Sequence, residues 1–85
     1  MKVKLLFFAS LREQLGTAVE EIELPSSVTT TDSLRLHLSK RGNSWEKALA
    51  DPKLARIAVN QDMASAAAQL NPGDEVAFFP PVTGG

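Results

Sequence analysis

The chain contains no cysteine, which removes disulfide scaffolds, thiolate metal sites and cysteine nucleophiles at once. It has one histidine, His37, inside a predicted helix and with no second histidine to complete a ligand set. A surface or helix-flank position is its expected role, and no metal site is expected. An excess of charge of one sign is also missing. Nine Lys and Arg stand against ten Asp and Glu, a net charge of −1, and the basic residues are scattered, so nothing marks a nucleic-acid partner. Long hydrophobic runs are absent too. The opening Met1 to Ser10 carries only a short apolar run before Arg12 and Glu13, which reads as a strand rather than a secretory leader and predicts a cytoplasmic protein without a membrane anchor. There is no paired-carboxylate motif and no spacing of Ser, His and Asp expected of a triad. The chain is therefore not expected to be an enzyme on its own.

What is present fits one small domain over residues 1–85. With 44% hydrophobic and 22% charged residues, the composition is ordinary for a globular chain. The length suffices for one core that buries about 60 to 65% of the unfolded surface. Val3, Leu5 and Phe7 alternate with Lys2, Lys4 and Leu6, a period of two that predicts a first strand over about 2–9 with its lysines outward. Leu11 to Gly16 predicts one helical turn stopped by glycine. Val19 to Leu24 resumes the alternation with Glu21 and Glu23 outward, until Pro25 ends it.

A helix is expected over about 31–41. Thr29 or Thr30 is placed to cap its first turn, Asp32 to sit at its positive end, and Gly42 to stop it after Lys40 and Arg41. Leu34, Leu38 and Arg41 share one face and Leu36 lies off it, a narrow stripe suited to one helix lying on one sheet. Ser44 is the expected cap of a second short helix carrying Trp45, Ala48 and Leu49 as a lid on the core. Arg56 to Val59 reads as the next strand, turning at Asn60-Gln61-Asp62 toward a weaker segment near 63–66. Asn71-Pro72-Gly73-Asp74 is a strong turn signal before a last strand over about 75–80.

Strand pairs separated by a helix predict an α+β fold of the β-grasp, ubiquitin-like kind, a mixed sheet with one main helix packed across one face. The first and last strands, Leu5-Leu6-Phe7-Phe8 and Val76-Ala77-Phe78-Phe79, are the most apolar runs and are expected to lie parallel at its centre.

The end of the sequence carries the functional signal. Pro80 and Pro81 cannot donate ladder hydrogen bonds, so pairing is expected to stop there. Consecutive prolines favour extended geometry, so residues 80–85 are expected to leave the body as a projecting tail. Gly84 and Gly85 have no Cβ and place a carboxylate on the thinnest stalk a polypeptide can make, one able to enter a narrow active site. About 0.5% of chains end in two glycines by chance.

Leu6-Phe7-Phe8-Ala9 with Leu11-Arg12-Glu13, then Ala58-Val59-Asn60-Gln61, then Gly73-Asp74-Glu75-Val76-Ala77-Phe78-Phe79-Pro80-Pro81-Val82-Thr83-Gly84-Gly85 resemble the small-subunit family of molybdopterin synthase. The likeness covers the whole chain, and Phe-Phe-Pro-Pro-Val-Thr-Gly-Gly is its most specific part. The resemblance implies a ubiquitin-like sulfur carrier. Its Gly85 carboxylate would be adenylated with ATP by an activating enzyme of the ubiquitin E1 kind and converted by a sulfur donor protein to a thiocarboxylate. It would then deliver sulfur to a cyclic pyranopterin inside the large synthase subunit, forming the molybdopterin dithiolene. The implied assembly is two small and two large subunits. No cofactor is implied as permanently bound, AMP and the thiocarboxylate being transient states of the C-terminus.

Residue by residue, Gly85 would carry the reactive carboxyl and Gly84 would pass a constriction. Val82 and Thr83 would guide the tail, while Pro80 and Pro81 would hold it off the sheet. Phe79 would lie at the root of the tail on the docking surface. Its alternative is a core position, since Phe78 and Phe79 must point to opposite faces. Met63 falls on the same surface by resemblance, with plain edge packing as its alternative. The other readings of the chain are a carrier for a different pathway such as thiamine thiazole synthesis, a protein modifier joined through Gly85, and an interaction domain with an inert tail.

Overall fold

The computed structural model describes residues 1–65 and 67–81. Eight elements follow in order: β1 (Lys2–Phe7), α1 (Ala9–Leu15), β2 (Val19–Glu23), α2 (Thr31–Ser39), α3 (Asn43–Leu49), β3 (Arg56–Val59), β4 (Asp62–Met63) and β5 (Glu75–Phe79). The strands form one sheet in the order β2-β1-β5-β3-β4. β1 and β5 run parallel, with Leu5 opposite Val76 and Phe7 opposite Phe78, and every other pairing is antiparallel. This is the expected β-grasp arrangement, with the two most apolar strands adjacent inside the sheet.

Alternation along the strands sorts residues between two faces. Val3, Leu5, Phe7, Ile57, Val76 and Phe78 are buried and join Leu34 and Leu38 of α2 and Ala48 and Leu49 of α3 in one core. Phe7 and Phe78 stack at 5.5 Å, and Trp45 meets Phe7 edge-on at the same distance. Lys2, Lys4, Glu21 and Glu23 are exposed, as the period of two requires. Leu36 lies off the α2 stripe and is exposed, and His37 is half-buried on the flank of α2.

Local chemistry shifts several boundaries from the sequence expectations. β1 stops at Phe7 because Ala9, with φ 52°, turns the chain directly into α1. α1 runs for seven residues rather than one turn, and Gly16 closes it at φ 72° with its N–H donating to Arg12 O, a left-handed stop that suits glycine. α2 starts at the expected place, where the Thr30 hydroxyl accepts from Ser33 N and the Ser33 hydroxyl accepts from Thr30 N. It ends earlier than expected, at Ser39, with Lys40 as a right-handed cap; Gly42 instead precedes α3 as its N-cap, and Ser44 lies inside that helix. β5 ends at Phe79, where the prolines begin. β4 is only two residues long, and Ala66 of the weaker segment lies outside the described residues.

The bend between α2 and α3 is clasped to β2. Arg41 forms a bidentate pair with Glu20 at 2.8 and 2.5 Å and lies 4.5 Å over the Trp45 ring. The hydrogen bonds from Arg41 hold the Glu20 carboxyl below its ordinary value, against the opposing effect of partial burial. A carboxyl depressed in the folded state adds stability above its unfolded pKa, near 4.5, and that stability is lost as pH falls through the folded value. Both side chains are partly exposed, so screening keeps the gain below about 1 kcal/mol. Glu20→Gln is therefore expected to lower the melting temperature slightly at neutral pH and to match the unsubstituted chain below the folded pKa. A deficit that stayed constant down through that range would contradict the assignment.

The turn before β5 is tied more firmly. Asp74 is buried and accepts from Asn60 Nδ2 at 3.0 Å and from Asn71 N at 2.8 Å, while Asn60 Oδ1 accepts from Glu75 N at 3.0 Å. Asn60 and Gln61 both have positive φ, 50° and 71°, so the knot also braces the tight turn into β4. Asp74→Ala removes the acceptor of both bonds from partly buried positions and is expected to cost about 1 kcal/mol or more, read from urea unfolding. A loss under about 0.5 kcal/mol would mean that these bonds are readily replaced by water.

Candidate functional site

Among the described residues no helix covers the second face of the sheet, and the chemistry of that face is set by strand register. Residues directly opposite one another share a face. Val19 pairs with Leu6, Leu6 with Ala77, Ala77 with Ala58 and Ala58 with Met63. One apolar row thus crosses all five strands. Val19 is 52% and Met63 58% exposed at its two ends, while Ala58 is buried between them. The row beside it runs through Phe8, Phe79 and Arg56. Phe79 pairs with Arg56. Phe8 follows the pair Phe7 and Phe78 and keeps the ladder through its N–H to Phe78 O at 3.0 Å, which sets it beside Phe79. Phe8 is 47% exposed.

Phe79 is half-buried and Phe78 fully buried, so the two phenylalanines divide between the faces, and Phe79 is the one on the open side. Pro80 and Pro81 continue from it, both partly exposed. Met63 lies on the same face, one row away. Val82, Thr83, Gly84 and Gly85 lie outside the described residues. The structure therefore brings Phe79, Pro80, Pro81 and Met63 to one end of one face, at the root of the tail. It adds Phe8, Leu6 and Val19, which sequence reasoning did not single out. The signal available for Phe8 was parity alone: if Phe7 is core, its neighbour in an extended chain points the other way.

Toward the opposite end the same face turns polar. Lys4 stands between Glu21 and Glu75, and Lys2 opposite Glu23. An apolar patch bordered by charge is the composition of a protein-docking surface, and its contiguity across five strands exceeds the scattered apolar residues normal on a surface. Among the described residues no group of three His, Asp or Glu side chains is placed to hold a metal ion. Nor, among them, is any helix long and apolar enough to cross a membrane.

Comparison with known proteins agrees with this geometry. The ThiS family model matches residues 5–85. The molybdopterin synthase sulfur carrier subunit of Escherichia coli (strain K12) is 47% identical over 83 residues, covering 98% of this chain and 99% of that protein. Among solved structures, a putative molybdopterin converting factor subunit 1 from Pyrococcus furiosus superposes with a TM-score of 0.81 at 34% identity, covering 96% of this chain and 99% of the other. The fold also recurs, with a TM-score of 0.70 at 23% identity over the full length of both chains, in a protein–protein complex of subunits 1 and 2 of molybdopterin-converting factor from Helicobacter pylori. The chain belongs to the ThiS family and, within it, to the family of molybdopterin synthase sulfur carrier subunits.

Proposed function

We propose that the chain acts as one domain, in the cytoplasm, as the sulfur-carrying subunit of a molybdopterin synthase, and that Gly85 is the atom-transferring end. The observation that carries this reading is the junction of an apolar open face with the root of the tail. Phe8, Phe79 and Met63 stand where β5 passes into Pro80 and Pro81, so docking that face fixes the direction in which Val82, Thr83, Gly84 and Gly85 enter a partner.

The chemistry follows from what this chain lacks. With no cysteine, a sulfur it carries must be bonded elsewhere, and the C-terminal carboxyl is the group that can be exchanged. A carboxylate is a poor electrophile until one oxygen becomes a good leaving group. Adenylation by an E1-like enzyme joins the carboxyl to the α-phosphate of ATP and releases pyrophosphate, and sulfide-level sulfur from a donor protein then displaces AMP to leave a thiocarboxylate. Gly84 lets the backbone pass a constriction that a Cβ would obstruct, and Val82 and Thr83 guide it. Inside the large subunit the thiocarboxylate sulfur bonds to a cyclic pyranopterin, and water then cleaves the bond between that sulfur and the Gly85 carbonyl carbon, which returns Gly85 to a carboxylate. The transferase machinery belongs to the large subunit, in an assembly of two small and two large chains; this chain contributes the sulfur and the docking face. AMP and sulfur occupy its terminus only transiently. The known complex of the two subunits in Helicobacter pylori supports the choice of partner.

Reconstitution tests the reading. Thiocarboxylated chain, purified large subunit and sulfur-free pyranopterin are expected to yield dithiolene product in proportion to the carrier consumed. Absence of product with a large subunit that is active on another carrier would overturn it.

A further inference from the structure

We infer that Arg56, with the recess it helps to line beside Met63, receives an acidic side chain of the large subunit and sets the electrostatic specificity of docking. This deepens the functional reading above and rests on it. The recess has a volume of about 170 Å³ and lies where β3 emerges past the short β4, against the first turn of α2; its walls include Thr31, Asp32, Arg35, Arg56, Met63 and Ser65. That is room for a side chain rather than a single water.

Its lining holds two guanidinium groups, Arg35 and Arg56, and one carboxylate, Asp32, and both Asp32 and Asp51 act on Arg35. Elsewhere the cations near the sheet have acidic neighbours: Arg41 is paired with Glu20, the Met1 ammonium with Glu23 at 3.1 Å, and Lys2 and Lys4 lie opposite Glu23, Glu21 and Glu75. The Arg56 guanidinium has no hydrogen-bond or ion-pair partner among the described residues, although it is exposed directly opposite Phe79. Arg35 is half-buried and spends one N–H on Leu49 O at 2.8 Å. Burial pushes its pKa down, with Asp32 and Asp51 pulling only partly the other way.

Position gives the recess its partner. Met63 belongs both to its wall and to the apolar row that ends in the docking patch. Arg56, directly opposite Phe79, belongs to both as well, so a partner that covers Phe8, Phe79 and Met63 lies over Arg56 at the rim of the recess. An apolar centre with a charged rim is how protein interfaces are built, and a rim cation chiefly sets association rate, salt dependence and the rejection of wrong partners. An Asp or Glu side chain of the large subunit, forked against Arg56, satisfies these conditions with the planar geometry that arginine favours.

The test is the affinity of the full chain for purified large subunit, measured by calorimetry at low and high salt. Arg56→Glu is expected to raise Kd at least about fivefold, and Arg56→Gln at least about threefold with a shallower salt dependence. Lys47→Glu, an equal charge change on α3 behind the core, is expected to alter Kd less than about twofold. Thermal unfolding should stay unchanged in all three, since both residues are exposed. A smaller effect at Arg56 in either variant, or an equal effect from Lys47→Glu, overturns the inference while leaving the carrier reading intact. Loss of affinity for the activating enzyme but not for the large subunit also overturns it. If the unsubstituted chain fails to bind the large subunit at all, the functional reading fails and the inference falls with it.

Discussion

Phe78→Ala is expected to destabilise the isolated chain by about 3 to 5 kcal/mol, whereas its neighbour Phe79→Ala should cost far less and instead weaken binding to the large subunit by about 2 kcal/mol or more. The difference follows from one peptide step. Phe78 is fully buried and stacked on Phe7 at 5.5 Å, and Phe7 in turn meets Trp45. Removing it opens a cavity at the centre of the sheet between β1 and β3. Phe79 points to the open face beside Phe8 and opposite Arg56, where a partner gains what the monomer does not. Against a total stability of about 4 to 13 kcal/mol for a chain of this length, the first substitution removes a large share of folding. Urea unfolding and calorimetric affinity on both variants separate the roles. Equal effects at both positions would mean that the assignment of faces is wrong.

Deleting Gly84 and Gly85, or adding one residue after Gly85, is expected to abolish sulfur delivery while the melting temperature stays nearly unchanged. Among the described residues the buried cluster runs from Val3 to Phe78, and β5 ends at Phe79. A terminus that adds few buried contacts can be altered at little cost to folding. The reaction, in contrast, needs a free carboxyl at a defined distance from the docking face. Sulfur release would be measured with the large subunit, and unfolding on the same samples. A marked fall in melting temperature would contradict a tail that stands apart from the core, and retained delivery would contradict the role of Gly85.

Much of this architecture is legible in the sequence because it is written locally. The alternation of Lys2 to Phe7, the cap at Thr30, the strand Arg56 to Val59 and the turn at Asn71 to Asp74 each follow from short-range pattern, and each appears where expected. The ends of elements are less legible. Gly42 reads as the stop of the main helix, but Lys40 ends that helix and Gly42 opens the next, because a glycine serves either side of a short connection. Ala9 carries no sign in its residue type of the left-handed turn that ends β1 and leaves Phe8 facing outward. The apolar row from Val19 to Met63 depends on the register of four strand pairings, which single residues do not encode. For the same reason Arg56 reads as an ordinary strand start until β5 places it opposite Phe79.

The most direct test of the account is the intact mass of the chain after incubation with ATP, a competent E1-like activating enzyme and a sulfur donor. Exchange of one oxygen for sulfur is expected, located by fragmentation at Gly85 and lost in the variant lacking Gly84 and Gly85. An unchanged mass with partners shown to activate another carrier, or sulfur found at any other residue, would contradict it.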